Sequence, residues 1–368
     1  MRRQISGALA GAALLAVVAG LSPEAPRAGQ PEPDRPGTAR NDAPPDALAA
    51  LRESYRRGVE DPYPADNPYS PAKAELGRRL FFDPVLSGGG TMSCASCHVP
   101  ARSWSDERPR GIGETGATMK VRTPTLLDVA QLPILGWDGK FRDLEDVTFT
   151  PVTSPSAMNL PEAEAIARLA RAPDYVRAFT EAFSENAGAA GAVPGSDEAV
   201  VTRRRIQMAL ATFQRGIASG RAPFDRWVEG DETAIGSSAK AGFAVFNGKG
   251  RCAACHSGWT FTDGSFHDIG VGTGEDIGRA AFFANSVQLR HAFKTPTLRD
   301  VAERGPYMHD GSLGTLAEVI DLYDRGGIER PSRSPAIAPI GLTETEKRDL
   351  LAFLRTLSAE VPGGPRLN

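Results

Sequence analysis

Two short stretches, Cys94-Ala-Ser-Cys97-His98 and Cys252-Ala-Ala-Cys255-His256, decide how the chain is read. Each is a CxxCH motif, the attachment signature of a c-type haem. The chemistry needs every member: two thiols add to the haem vinyl groups as thioethers, and the adjacent imidazole reaches back to the iron as proximal axial ligand. A lone CxxC also serves zinc and disulfide chemistry. Here two copies, each followed by His, use all four cysteines of the chain. The expectation is two c-type haems, covalently held by Cys94, Cys97, Cys252 and Cys255, with His98 and His256 as iron ligands.

Working outward, the sequence around the motifs repeats. Thr123-Pro-Thr-Leu-Leu-Asp-Val-Ala130 returns as Thr295-Pro-Thr-Leu-Arg-Asp-Val-Ala302. The register continues without a gap, so that Asp138-Gly139 falls on Asp310-Gly311, Leu144 on Leu316 and Val147 on Val319. Each copy reads as a helix, a CxxCH, a loop, a TPTL segment, an Asp-Gly turn and a further helix. Helix-forming composition precedes each motif, at Ala72 to Phe82 and Ser238 to Phe246, and residues 199–218 carry helical periodicity that links or buttresses the units. The predicted fold is all-α: two cytochrome-c-like haem domains related by an internal repeat, with long loops. The domain layout is a signal peptide at 1–20, a Pro-rich disordered linker and lead-in at 21–64, an N-terminal haem domain at 65–232 and a C-terminal one at 233–368.

The same register compares the two sites. Pro151 falls on Tyr323, which shares a helical face with Leu316, Val319 and Ile320. Tyr323 is either an ordinary core aromatic or the sixth ligand of the second haem, since a Tyr oxygen can ligate haem iron. Pro151 cannot ligate, and residues 99–122 hold no His and only one Met, Met119. The N-terminal haem is thus the candidate for an open iron and the C-terminal haem for a closed, electron-transferring one.

Composition narrows the function classes. The chain has 368 residues, with Lys+Arg 42 against Asp+Glu 45 and a net charge of −3, so no basic surplus is available for a phosphate backbone. Arg2 and Arg3 precede an apolar run from Ile5 to Leu21, a secretory leader by pattern with small residues at Ala19 and Gly20. Beyond it no apolar run reaches the roughly 18 residues of a membrane span. Residues 22–46 are crowded with Pro and read as a spacer. The expected location is the periplasm.

The pattern resembles the bacterial di-haem cytochrome c peroxidase superfamily and, within it, the MauG/MbnH-like branch. The resemblance spans roughly residues 65–360. It rests on LGRRLFFDPVLSGGGTMSCASCH (76–98), RTPTLLDVA (122–130), GWDGK (136–140), the second CxxCH and FKTPTLRDVAERGPYMHDGSLGTLAEVIDLYDRGG (293–327). It implies that Tyr323 ligates the second iron where the peroxidases use Met, with Met308 and His309 as competitors and His309 placed near the haem edge as a supporting group. It also implies that Trp137 relays electrons between the haems and that Pro151 lies in the open pocket. Trp104, Trp227 and Trp259 have no such support. The chain departs from the family where a Gln and a Glu are usual, ten and twenty residues after the relay Trp; Val147 and Ala157 stand there. The Glu is the expected acid–base group for splitting peroxide, and Thr150, Thr153, Ser154 and Asn159 are weak substitutes. Arg122 replaces an Asn that helps hold calcium between the domains, so a fixed positive charge stands where a cation is usual.

Three functions follow. In the first, hydrogen peroxide drives a high-valent di-haem state that oxidises Trp or Tyr of a periplasmic partner protein. In the second, the protein is a cytochrome c peroxidase that reduces hydrogen peroxide with electrons from a small electron-donor protein. In the third, it is a di-haem carrier or sensor without turnover. Tyr323 and the open N-terminal site favour the first, while Val147 and Ala157 weigh against it. His267 either bonds a haem propionate or is a solvated loop residue, and His291 has no assigned role. The glycines of LSGGG (86–90) serve loop geometry before the first motif.

Overall fold

The computed structural model describes residues 45–58, 62–184 and 200–359. The expected leader at 1–20 and the Pro-rich spacer up to residue 44 lie outside the described residues. Helix α1 (Pro45–Glu53) opens the described chain, within the stretch expected as linker and lead-in. Next to it, Tyr55 is buried among Phe224, Phe243 and Phe261. Arg57 adds hydrogen bonds to Ser219 and Gly220 and an ion pair with Asp225. The lead-in is therefore part of the folded body from Pro45 through Gly58.

The first half contains α2 (Pro71–Phe82), α3 (Leu144–Thr153), α4 (Glu162–Arg171), α5 (Pro173–Phe183) and α6 (Arg203–Arg215). The second contains α7 (Pro223–Val228), α8 (Ser237–Asn247), α9 (Leu316–Arg325) and α10 (Glu344–Arg355). The one sheet among the described residues pairs β1 (Phe266–His267) with β2 (Phe293–Lys294), antiparallel, with Phe266 opposite Lys294. The chain is thus essentially all-helical, as two cytochrome-c-like units require. The boundary expected at 232 leaves α7 in the first unit, but its Phe224 and Trp227 pack into the second core.

Local sequence explains where the helices begin. Ser70 caps α2 by accepting from the Lys73 N–H at 3.2 Å, with Pro71 in the first turn, where no N–H is needed. Thr202 caps α6 in the same way. Thr315 with Glu318, and Thr343 with Glu346, form reciprocal capping boxes at α9 and α10. Within the segment 199–218, predicted as a link or buttress, Arg203–Arg215 form α6, which crosses α2.

The two halves use one packing device. A Cβ at Gly77 of α2 would lie 1.9 Å from the Ala209 carbonyl oxygen of α6, and a Cβ at Gly242 of α8 would lie 1.9 Å from that of Asp349 in α10. Only glycine permits such close backbone approach. Beside each crossing sits a buried Phe, Phe213 or Phe353. The first core gathers Leu80, Phe81, Trp104 and Phe213, and the second Phe224, Trp227, Phe243 and Phe353. Each such side chain contributes roughly 1.5–3 kcal/mol by leaving water.

Each half holds a buried ion pair. Arg215 of α6 grips the Glu145 carboxylate of α3 with two bonds of 2.6 and 2.7 Å, and Asn67 adds a third of 2.6 Å. Arg299 grips Asp225 at 2.8 and 3.0 Å. Burial pushes both carboxyls up, but the Arg partners and further hydrogen bonds outweigh it and hold them below their ordinary values.

Three predictions follow from this packing and pairing. Gly77→Ala and Gly242→Ala are expected to destabilise the holoprotein by at least about 1–3 kcal/mol in denaturant unfolding, the cost of overpacking a closed crossing. Depressed carboxyl pKa values contribute stability that is complete above the unfolded values, about 3.9 for Asp and 4.3 for Glu, and is lost as pH falls through the folded ones. Thermal midpoints should therefore drop below about pH 4. Arg215→Met should lose about 3–5 kcal/mol by stranding Glu145.

Candidate haem centres

A single turn places each motif histidine. The His98 N–H bonds the Cys94 carbonyl at 2.9 Å, and the His256 N–H bonds the Cys252 carbonyl at 2.9 Å. Each imidazole is then aimed by its Nδ1. That of His98 meets the Trp104 carbonyl at 3.2 Å and that of His256 meets the Phe261 carbonyl at 2.8 Å. A carbonyl only accepts, so Nδ1 carries the proton and Nε2 keeps its lone pair for a metal. Burial pushes both imidazole pKa values down, which favours the neutral, ligating form.

The accepting carbonyls belong to aromatic residues in a left-handed conformation, with φ of 59° at Trp104 and 54° at Phe261. That conformation costs an L-residue about 1–2 kcal/mol. Ring burial offsets it, since both side chains are fully buried. The TPT segments clamp the same loops. Ser105 Oγ donates to the Thr123 carbonyl at 2.7 Å, and Thr262 Oγ1 to that of Thr295 at 2.6 Å. Thr125 Oγ1 donates to the Ser103 carbonyl at 2.5 Å, and Thr297 Oγ1 to that of Thr260 at 2.7 Å. The repeated TPTL is thus a brace for the imidazole-orienting loop.

One cavity of about 960 Å³ is lined by both CxxCH motifs and by residues of both halves. Its walls include Pro151, Tyr323, Trp137, Met308 and His309, together with Val147 and Ala157. The four cysteines form no disulfide, and burial pushes the Cys94 and Cys252 thiols up, to about 12. Free thiols beside an orienting-bonded His, twice over in one apolar cavity, fit two c-type haems. On α9 the predicted face holds: Leu316, Val319, Ile320 and Tyr323 all line the cavity. Among the described residues no protein group bonds the Tyr323 hydroxyl, and burial followed by the nearby Cys252 and Cys255 raises its pKa. At the repeat-equivalent place on α3 stands the Pro151 ring.

Trp137 and His309 occupy equivalent places in the repeat and meet edge-on, with ring centroids 6.4 Å apart. A reciprocal set of bonds ties them. Arg122 N–H donates to the His309 carbonyl at 2.7 Å, Lys294 N–H donates to the Trp137 carbonyl at 2.8 Å, and Trp137 Nε1 donates to the Arg122 carbonyl at 2.9 Å. His309 is buried, stacked on Phe293 at 3.6 Å, and shares a 2.6 Å hydrogen bond between its Nε2 and Asp276 Oδ2. Its ring is committed to that pair. The Arg122 guanidinium, also buried, donates to Ser105 Oγ and to the carbonyls of Thr123, Asp106, Arg304 and Gly305, joining the halves.

Of the hydroxyls offered as proton carriers, Thr150 and Ser154 line the cavity, as does Ser156, which bonds Ser154 at 3.1 Å; Thr153 and Asn159 do not line it. Trp104 and Trp227 are buried core aromatics. His267 bonds Asp263 at 2.8 Å. Cys255, Asp263 and His267 bring three donor atoms together, but Cys255 belongs to the second motif, so the group is not a separate metal site. The LSGGG loop is tied by Glu114, whose carboxylate accepts from Gly89 N–H at 2.8 Å and from Thr91. Sequence reasoning missed Asp276, Phe293, Glu114 and the two orienting carbonyls. The pairing of 137 with 309 was open to it, because the repeat register aligns them.

Comparison with known proteins agrees with this geometry. Residues 71–233 match the family of di-haem cytochrome c peroxidases, and residues 239–358 match cytochrome c. A methylamine utilization protein MauG of Methylorubrum extorquens is 48% identical over 88% of this chain and 88% of its own length. Another from Methylophilus methylotrophus is 45% identical over 83% and 88%. The crystal structure of a MauG-like protein associated with microbial copper homeostasis superposes with a TM-score of 0.75, at 32% identity over 84% of this chain and 96% of that one.

The braces carry a prediction of their own. Thr125→Val and Thr297→Val should each lose about 0.5–1.5 kcal/mol. Each should also broaden the electron paramagnetic resonance of one haem only, the one whose histidine loop it braces.

Proposed function

Since this chain belongs to the di-haem cytochrome c peroxidase family and is a peroxide-dependent di-haem oxidoreductase, we propose that it uses hydrogen peroxide to oxidise Trp or Tyr side chains of a partner protein. When bound, the two c-type haems supply the redox chemistry that takes up the two oxidising equivalents of peroxide. Cys94 and Cys97 would hold one and Cys252 and Cys255 the other, with His98 and His256 offering their Nε2 atoms to the irons. The observation that carries the reading is the contrast at one repeat position: Pro151 has no donor atom, while Tyr323 brings an unpartnered hydroxyl to the same cavity. Tyr323 is assigned as the side chain that would offer the iron of the C-terminal haem a ligand besides His256. A Tyr-ligated iron has a low reduction potential, which suits storing oxidising equivalents better than accepting electrons from a small carrier.

The remaining residues divide the other tasks. Trp137 is assigned as the oxidisable relay between the two sites, its ring fixed by the Nε1 bond to the Arg122 carbonyl. His309, paired with Asp276, is assigned as a positioning residue for that indole. Pro151, Val147 and Ala157 present an apolar wall to the oxidant, so proton movement falls to Thr150, Ser154 and Ser156 and to water. Arg122 supplies a fixed positive charge where the halves meet. The reading includes export to the periplasm, in line with the apolar leader that follows Arg2 and Arg3. Among the described residues no helix is long and apolar enough to cross a membrane.

One equivalent of hydrogen peroxide added to the resting holoenzyme should remove the ferric Soret band and raise a near-infrared band of charge shared between the haems. An unchanged ferric spectrum overturns the proposal in favour of a carrier or sensor. Tyr323→Phe should alter the low-spin haem spectrum, and an unaltered one rejects the ligand assignment. Trp137→Phe should abolish the near-infrared band and slow partner oxidation at least about ten-fold, or about 1.4 kcal/mol in barrier.

A further inference from the structure

The repeat register that places Trp137 on His309 also places Arg122 on Lys294. The backbones of these two cations do equivalent work, each donating its N–H across the junction to the carbonyl of the other half's aromatic residue. Their side chains do not. Arg122 distributes its guanidinium over protein acceptors from both halves. Lys294 lines the cavity, is 9% exposed, and among the described residues has no hydrogen-bond acceptor or carboxylate on its Nζ.

A buried ammonium without an anion is costly enough that such groups are nearly always paired. Burial alone pushes Lys294 down, to about 8, and among the described residues no carboxylate counters it. The acids on the cavity wall are engaged or outward: Asp276 holds His309, Asp138 caps the Lys140 N–H, and Glu275 is exposed. The other buried cation there, Arg304, bonds the carbonyls of Arg299 and Thr297. Lys120, Lys140 and Arg251 are exposed and solvated. Lys294 is therefore the buried cation on this wall that lacks a protein partner.

Haems bring their own anions, the propionate carboxylates. We infer that Lys294 is a haem-propionate anchor: its ammonium pairs with a propionate carboxylate at the junction of the two halves, next to Trp137. The assignment rests on the two-haem reading alone and not on what the enzyme oxidises. It also explains why the repeat keeps a cation at both positions but an arginine only where protein carbonyls are the acceptors. A guanidinium spreads planar donors over several carbonyls, whereas an ammonium is a compact charge suited to one carboxylate.

The test uses resting holoenzyme without peroxide, so its outcome is independent of the oxidation reaction. In Lys294→Gln the resonance Raman bending mode of the propionates should shift for one haem. The reduction midpoint of the same haem should fall, because a positive charge that favours the reduced state is gone; a ten-fold change in that equilibrium is 59 mV for one electron. Lys294→Arg should restore both signals. Wild-type mode and potential in Lys294→Gln overturn the inference, as does a shift that Lys294→Arg leaves uncorrected. Should Lys294→Gln fail to mature, crystals of the wild-type holoenzyme decide. Nζ within about 3.2 Å of a propionate oxygen supports the anchor, and none within about 4 Å overturns it.

Discussion

The bond from an imidazole Nδ1 to a backbone carbonyl is the constraint on which the rest of this molecule depends. It fixes which nitrogen of His98 and His256 is free, and it does so twice with one construction. The carbonyl belongs to a buried aromatic held left-handed, and the loop carrying it is braced by hydroxyl hydrogen bonds donated both from and to a TPT segment. That brace is anchored in turn by the Asp that ends the motif. Asp128 and Asp300, both left-handed, donate their N–H groups to the Ile217 and Leu357 carbonyls just beyond α6 and α10. The helix crossing at Gly77 or Gly242, the brace and the histidine are thus one mechanical unit in each half.

Duplicating such a unit brings two similar histidine loops to one cavity, and the two sides of that cavity differ in the residues they present. Pro151 against Tyr323 sets the two sites apart on the α3 and α9 sides. Trp137 against His309 puts an oxidisable ring on one side of the junction and a carboxylate-paired imidazole on the other. Arg122 against Lys294 binds protein carbonyls on one side and leaves a bare ammonium on the other. All three contrasts lie in or beside the same cavity, and none disturbs the braces. A fold in which ligand orientation is handled by the backbone leaves its cavity-facing side chains free to diverge.

The junction between the halves is polar and closed on itself. Trp137, Arg122, His309 and Lys294 are joined by two backbone bonds and the Trp137 indole bond, of 2.7–2.9 Å, and Asp276 reaches in from the loop before β2. Arg330 fixes that loop's start through Asp268 and the carbonyls of Val271 and Gly272. The Trp137 indole is thereby held in one orientation on the cavity wall by its Nε1 bond and its edge-on contact with His309.

By itself the sequence determined the two CxxCH motifs, the internal repeat with its register, the helices flanking each motif and the cavity-facing helical side of Tyr323. All of these are written in residue identity at short spacing or in helical periodicity, which survive without knowledge of the fold. Only the family resemblance pointed Val147 and Ala157 to the pocket, and both line the cavity. The tertiary structure alone decided which carbonyls orient the histidines, that Asp276 holds His309, that Glu114 ties the LSGGG loop, and that Lys294 is left without a protein partner. It also decided that Tyr55 and α7 belong to the second core. These depend on left-handed loop residues and on pairs tens to hundreds of positions apart. Loops have no period to read, and a missing partner becomes visible only when every neighbour has been brought into place.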